Sequence, residues 1–341
     1  VVAYVTHPDC RLHDPGPGHP EQPARLQAVE QALQPLLPQI ARLPADPLDD
    51  DALASVHHRA YVHRIRALAE EGGGILDPDT VVSRGSYRAA RAAAGAARAA
   101  VEAVLQGRAR AAFAAVRPPG HHALADRGMG FCLFNNVALA AVRALDAGLP
   151  RVAVVDWDVH HGNGTQQLFY RDGRVLVISV HQQQWYPGTG AVEETGEGDG
   201  AGWTVNIPLP AGTGDGGYRV VFEEVVVPLL QEAAPALVLI SAGYDASAGD
   251  PLGRMRLTAR GFWTLADLIR QTRPDRGGVV AVLEGGYHLE SLSAGVRATV
   301  QALAGLPPPP GPERELDEVS YATVRSRVRQ VRSVVKQYWN I

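Results

Sequence analysis

Asp158 and His160, two residues apart in Asp156-Trp-Asp-Val-His-His-Gly-Asn163, pair a carboxylate with an imidazole. Side chains two apart at a strand end point the same way, and this donor pair suits zinc. A third ligand has to come from another strand. Asp245, in Ala242-Gly-Tyr-Asp245, is the best candidate. Three protein ligands leave one position open for water and substrate, the pattern of a catalytic rather than a structural site. Zinc held in this way lowers the pKa of its water towards ~7 and polarises a carbonyl. Either residue alone would read as a loop cap; both together, beside other polar strand-end clusters, read as ligands.

His121 and His122 close the run Arg117-Pro-Pro-Gly-His-His122. A lone histidine there would read as a satisfied core residue. Two in tandem, facing a metal, point to proton transfer. Each needs a partner to fix its tautomer, and Asp156 and Asn163 are available. A histidine paired with aspartate is held nearer to permanent charge. One paired with asparagine stays nearer its reference pKa and can exchange its proton, so the two rings take different roles. Tyr287 follows Gly285-Gly286, which let the backbone turn sharply. Its hydroxyl could donate to a developing oxyanion, although a tyrosine there on its own would read as packing.

Elements must bring these residues together. Short apolar runs predict strands over 1–6, 111–116, 152–155, 175–181, 203–207, 237–242 and 279–283. Several are continuous, as in strands covered on both faces. Helical patterns lie between them, among them 133–147, stopped by Gly148 and Pro150, and the alanine-rich 83–105. The alternation predicts an α/β fold with a mostly parallel central sheet and helices on both faces. The clusters at 117–122 and 156–163, Ser179 with His181, 242–245 and 284–287 all follow or end strands. In an open parallel sheet they converge at the carboxyl ends.

The chain has 341 residues, 46% hydrophobic and 20% charged, with a formal net charge of -4. That gives no electrostatic case for a nucleic-acid binder. Two cysteines, Cys10 and Cys132, make neither a disulfide framework nor a zinc finger, and a reducing cytoplasm fits. No apolar run reaches the ~18 residues of a membrane span, and the first six residues lack the features of a secretory signal. Lys336 is the only lysine among many arginines and alanines, a composition that points to a GC-rich bacterial coding sequence. No domain boundary is visible, so 1–341 reads as one catalytic domain. Pro307–Pro310 is a stiff connector to a helix at about 313–338, docked on that domain through Val324, Val328, Val331 and Val335.

The stretches Arg117-Pro-Pro-Gly-His-His-Ala123, Gly130-Phe-Cys132, Phe134-Asn-Asn-Val137, Asp156-Trp-Asp-Val-His-His-Gly-Asn-Gly-Thr165 and Glu284-Gly-Gly-Tyr287 resemble the zinc-dependent histone deacetylase and acetylpolyamine amidohydrolase superfamily, especially its class II and bacterial members. The likeness runs in chain order from His19 to about Leu289. It implies a three-layer arginase/deacetylase-type fold and one zinc ion on Asp158, His160 and Asp245. It pairs His121 with Asp156 and His122 with Asn163, makes His122 the general base then acid and His121 mainly electrostatic, and makes Tyr287 the oxyanion donor. Asn163 stands where class I members carry aspartate. Gly130, Phe131 and Tyr186 match the walls of a narrow tunnel for an acylated chain; many relatives carry phenylalanine at the position of Tyr186. Arg25 matches an arginine lining an internal cavity for the released acid. The resemblance also implies structural potassium or sodium, held by Asp156, the Ser179 hydroxyl and the carbonyls of Asp158, His160 and Val180. A second cation would sit near the carbonyls of Phe169, Asp172 and Val175. The implied substrate is an acylated-lysine peptide or a small acylated amine.

Four other readings fit the chain less well. A two-manganese ureohydrolase needs further bridging aspartates, where this chain has Gly162 and Gly243. Gly212-Thr-Gly-Asp-Gly-Gly217 fits a nucleotide-loop pattern, yet Pro208 and Pro210 part it from its strand; Asp215 reads instead as a helix cap. His57, His58 and His63 lie on a helical pattern and read as non-ligands, and His181 as a neighbour of the site. A non-catalytic acyl-lysine binder would not need the full ligand set and Tyr287. An acetylpolyamine amidohydrolase is the nearest alternative, and Leu252 argues against it. Polyamine-specific relatives can place a glutamate at the matching position, while leucine suits a peptide.

Overall fold

Apolar runs without alternation form strands buried on both faces. A computed structural model, which describes residues 1–272, 278–310 and 319–341, bears out that rule. The strands are β1 (Val2–Val5), β2 (Ile40–Leu43), β3 (Gly73–Asp77), β4 (Thr80–Ser83), β5 (Ala111–Ala114), β6 (Val152–Asp156), β7 (Val175–Gln182), β8 (Thr204–Leu209), β9 (Leu237–Ala242) and β10 (Val279–Leu283). Eight form one sheet in the order β2-β1-β5-β10-β9-β6-β7-β8. Every pairing in it is parallel, and every residue of β5 to β10 is buried. Helices pack around the sheet and share its hydrophobic core.

The strand order does the positioning. The five strands that carry polar clusters at their carboxyl ends, β5, β10, β9, β6 and β7, are consecutive neighbours. Parallel pairing then sends all five clusters to one edge of the sheet.

Two elements escape the sequence pattern. The edge strand β2 has only Ile40 buried, so it shows no apolar run. The antiparallel hairpin of β3 and β4 starts among glycines, which carry little strand signal. Helix Asn136–Asp146 starts three residues later than the 133–147 pattern, because Asn135 caps it by accepting from the Ala138 amide at 3.0 Å. Helix Ser86–Leu105 likewise begins inside the expected span. Asp215 is not the cap it was expected to be. It is the first residue of helix Asp215–Val221, and its carboxylate reaches across to the Thr258 amide and hydroxyl at 2.8 and 2.6 Å, at the start of another helix.

The last helix is Tyr321–Val335. The expected onset at 313–318 lies outside the described residues. Val324, Val328, Val331 and Val335 are buried, and the helix packs on β8 and on Asp215–Val221. Trp339 anchors its end by donating to the Gly202 carbonyl at 2.7 Å. No helix among the described residues is long and apolar enough to cross a membrane.

Candidate active site

β6 ends at Asp156, and the loop after it carries Asp158 and His160 towards Asp245, which follows β9. His160 Nδ1 lies 3.0 Å from Asp158 Oδ1 and 3.3 Å from Asp245 Oδ2. Among the described residues these three form the group able to hold an ion, with one donor atom each within 4.8 Å of the others. Their remaining oxygens are tied down. Asp158 Oδ2 accepts from the Gly285 amide at 2.8 Å and Asp245 Oδ1 from the Val159 amide at 2.9 Å. Asp245 Oδ2 is buried without a well-formed hydrogen bond, although His160 is near. A buried carboxylate oxygen facing an imidazole and a second carboxylate calls for a cation, and an N,O,O donor set fits zinc. Burial alone would lower the His160 value, but the two carboxylates outweigh it and push it up to about 10. Gly285 and Gly243 make room for the ligands. A Cβ at Gly285 would run into Asp245 Oδ2 and Asp158 Oδ2, and one at Gly243 into Asp158 Oδ2.

The two histidines are partnered differently. His121 Nδ1 lies 2.8 Å from Asp156 Oδ2, and His122 Nδ1 lies 2.7 Å from Asn163 Oδ1. Burial lowers both rings. Around His121 the carboxylates of Asp156, Asp158 and Glu284 outweigh it and hold the ring well above the ordinary imidazole value. Around His122 the rings of His121 and His160 add to burial and hold it well below. Gly130 lets the wall approach, since a Cβ there would strike the His122 ring.

Residues that sequence reasoning passed over fix this loop. Glu284 accepts from the Gly120 and His121 amides at 2.7 and 3.1 Å. Burial pushes its carboxyl up to about 7. His57 lies just before helix Arg59–Glu70 and bridges two segments. Its Nδ1 is 2.8 Å from the Leu124 carbonyl, and its Nε2 accepts from the Asn135 amide at 2.9 Å. Arg117 and Glu21 form a fully buried ion pair at 2.6 Å. Glu284 and Arg117 lie within stretches already singled out; His57 was read only as a non-ligand, and its bridge has no local sign in the chain.

Tyr287 is buried, and burial raises its phenol well above its ordinary pKa, so the hydroxyl keeps its proton. The Phe131 and Tyr287 rings meet edge-to-face with centroids 5.6 Å apart, and the Arg25 guanidinium lies over the tyrosine ring at 4.9 Å. Phe131 has φ 68°, a left-handed conformation costly for an aromatic residue and concentrated at functional sites. Tyr186 stands 5.2 Å from the His122 ring and 6.0 Å from His160. Leu252 is half-buried, and its carbonyl accepts from the Trp185 indole at 2.8 Å. Arg25 is fully buried. It donates to the carbonyls of Gly286 and Glu284, each at 2.6 Å, and to Glu21 at 2.8 Å, so it braces the loop that carries Tyr287.

Asp156 and Ser179 face each other across β6 and β7. The Ser179 hydroxyl lies 2.9 Å from His181 Nδ1, and Asp156 Oδ1 accepts from the Asp158 amide at 3.0 Å. Val180 follows Ser179 in β7. The Phe169 and Asp172 carbonyls accept from the amides of Asp172 and Val175. His58 and His63 stay with helix Arg59–Glu70, away from the ligand group.

The histone deacetylase domain family matches residues 19–303. A probable deacetylase of Archaeoglobus fulgidus is 40% identical, over 99% of both chains. A histone deacetylase-like amidohydrolase of Pseudomonas aeruginosa is 40% identical, over 85% of this chain and 78% of its own. The crystal structure of the HDA15 HD domain superposes with a TM-score of 0.92 at 35% identity, covering 99% of this chain and 94% of that one.

Proposed function

The chain belongs to the histone deacetylase family, and from that premise we propose that it is a zinc-dependent amidohydrolase. It removes an acyl group, acetyl first, from a lysine side chain or a similar acylated amine. The observation that carries the reading is the unequal pairing of His121 and His122 beside the Asp158, His160 and Asp245 group. When bound to those three residues, zinc supplies Lewis acidity towards a carbonyl and towards water.

The chain's own groups do the rest. With its Nδ1–H donated to Asn163 Oδ1, neutral His122 keeps a free lone pair at Nε2. That atom takes a proton from the attacking water as the oxygen bonds to the amide carbon. The carbonyl oxygen becomes negative, and the Tyr287 hydroxyl donates to it. As the C–N bond breaks, His122 returns the proton to the leaving nitrogen, giving a free amine and the acid. His121, held charged by Asp156, adds positive potential and does not shuttle. Phe131 and Tyr186 flank the acylated chain and exclude water.

Further parts of this reading are one catalytic domain over 1–341 and a monovalent cation at Asp156, Ser179 and Val180. A second cation near Phe169, acid release past Arg25 and a cytoplasmic location complete it. The deciding experiment is a panel of acyl-lysine peptides and acetylated polyamines, assayed before and after chelation and with zinc restored. Turnover lost on chelation and regained with zinc is expected. Zinc-independent turnover, or none on any acyl amide, overturns the reading.

A further inference from the structure

We propose that Asp250 is a positioning residue that holds Tyr287 in line for the reaction and couples it to the tunnel mouth. The proposal rests on the reading of Tyr287 as oxyanion donor. Asp250 lies in Gly249-Asp-Pro-Leu-Gly253 and is only 5% exposed. Burying a carboxylate is costly unless its oxygens are hydrogen-bonded. Here both are used. Oδ2 accepts from the Tyr287 amide at 2.7 Å and the His288 amide at 3.1 Å. Oδ1 accepts from the Leu252 amide at 3.0 Å.

The three donors belong to two loops that meet at Asp250. One carries Tyr287 out of β10 and into helix Leu289–Leu303. The amides of Tyr287 and His288 stand at the start of that helix, where a negative charge is favoured. The other carries Leu252, whose carbonyl is gripped by Trp185, next to the wall residue Tyr186. Gly286, at φ 117°, adopts a left-handed conformation just before Tyr287 and offers no side chain to restrain the loop there. The backbone at Tyr287 is therefore set by contacts from outside the loop: Arg25 on the Glu284 and Gly286 carbonyls, and Asp250 on the next two amides. A tyrosine hydroxyl sits at the end of a long lever, so a small shift of its amide becomes a large one at the oxygen. Misplacement of a catalytic group by ~1 Å can cost ~10² in rate.

Asp250→Asn keeps one acceptor oxygen and replaces the other with an NH2 group, so one of the two loops loses its partner. It is expected to lower kcat by roughly tenfold to a hundredfold, less than the ~10²–10³ that outright loss of such a donor costs, with KM moving less than threefold. In a Tyr287→Phe background the same change is expected to lower kcat by less than about threefold, because the hydroxyl it positions is already gone. Losses that multiply in the double variant overturn the proposal, as does an Asp250→Asn enzyme within twofold of the parent. A second measurement needs neither turnover nor a folded variant. In the parent, hydrogen exchange should find the Tyr287 and His288 amides as protected as those inside helix Leu289–Leu303. Exchange at the rate of open loop amides overturns the clamp. A parent that hydrolyses no acyl amide sinks the proposed reaction instead, and exchange still decides whether the clamp exists.

Discussion

His57 offers a test of how the catalytic loop is held. Its ring has one assignable tautomer. Nδ1–H donates to the Leu124 carbonyl and bare Nε2 accepts from the Asn135 amide. A second proton on Nε2 would face that amide and leave it unpaired. Burial accordingly lowers the His57 pKa to about 4, against ~6.5 for a free imidazole. The folded value lies below the unfolded one, so between pH 6.5 and 4 the unfolded chain binds the extra proton and the folded chain does not. His57 therefore favours the folded state fully above pH ~6.5. That contribution is lost as pH falls towards 4 and changes no further below it. At ~1.36 kcal/mol per pKa unit the loss is roughly 2 kcal/mol by pH 5 and roughly 3 kcal/mol by pH 4. Other buried histidines, His161 among them, titrate in the same window, so the useful quantity is a difference. Urea unfolding of the parent and of His57→Gln, followed from pH 7 to pH 5, should give stability curves that converge on acidification by about 2 kcal/mol, because glutamine never charges. Curves parallel to within ~0.5 kcal/mol would refute both the buried neutral ring and the bridge built on it.

Asp245→Ala should lose most zinc by metal analysis after dialysis and most turnover with it, since it removes one of three ligands; a variant with full zinc and full activity means the ligand is elsewhere. His122→Ala should lower kcat by roughly 10²-fold or more, the usual range for a general acid–base group, while His121→Ala keeps measurable activity near neutral pH. The reverse order in steady-state assays moves the shuttle to His121. Leu252→Glu should shift kcat/KM from an acetyl-lysine peptide towards N-acetylated putrescine and spermidine, because a carboxylate at the mouth attracts a distal ammonium by ~4 kcal/mol at 4 Å and effective ε ~20, before desolvation. A parent that already favours the polyamines tenfold overturns the choice of lysine.

Seven of the eight sheet strands and the convergence of the polar clusters were legible in the chain, for a local reason. A strand buried on both faces writes itself as an unbroken apolar run, and polar residues just past its end stand out. The ligand group follows from the same logic, because each ligand sits one or a few residues past such a run. What was not legible depends on contacts between distant segments. His57 looked like one of three histidines on a helical pattern, yet it bridges residues 67 and 78 positions away. Asp250 was passed over for its neighbour Leu252, since nothing local says that a carboxylate there will meet the amides of Tyr287 and His288. Arg25 was read through the resemblance as lining a cavity; that its buried donors also go to Glu21 and to two carbonyls of the Tyr287 loop has no local sign in the chain. Asp215 was misread because its hydrogen-bond partner, Thr258, lies in another element.

The adjacent histidines work as one device. Burial depresses both rings, so neither would be charged by position alone. What separates them most is the group at Nδ1, a carboxylate on His121 and an amide oxygen on His122, with Asp158 and Glu284 adding to the charge around His121. Once Asp156 holds His121 charged, that charge, with the rings 4.0 Å apart, opposes a second proton on His122. The neutrality of His122, the proposed shuttle, thus follows from the charge of its neighbour as well as from its own partner. A divalent cation on Asp158, His160 and Asp245 would take the place of the proton on His160 and repel a proton on either imidazole. It acts on the two rings in the same direction. The largest difference between them is Asp156 against Asn163, and that difference remains whichever charge fills the three-residue group.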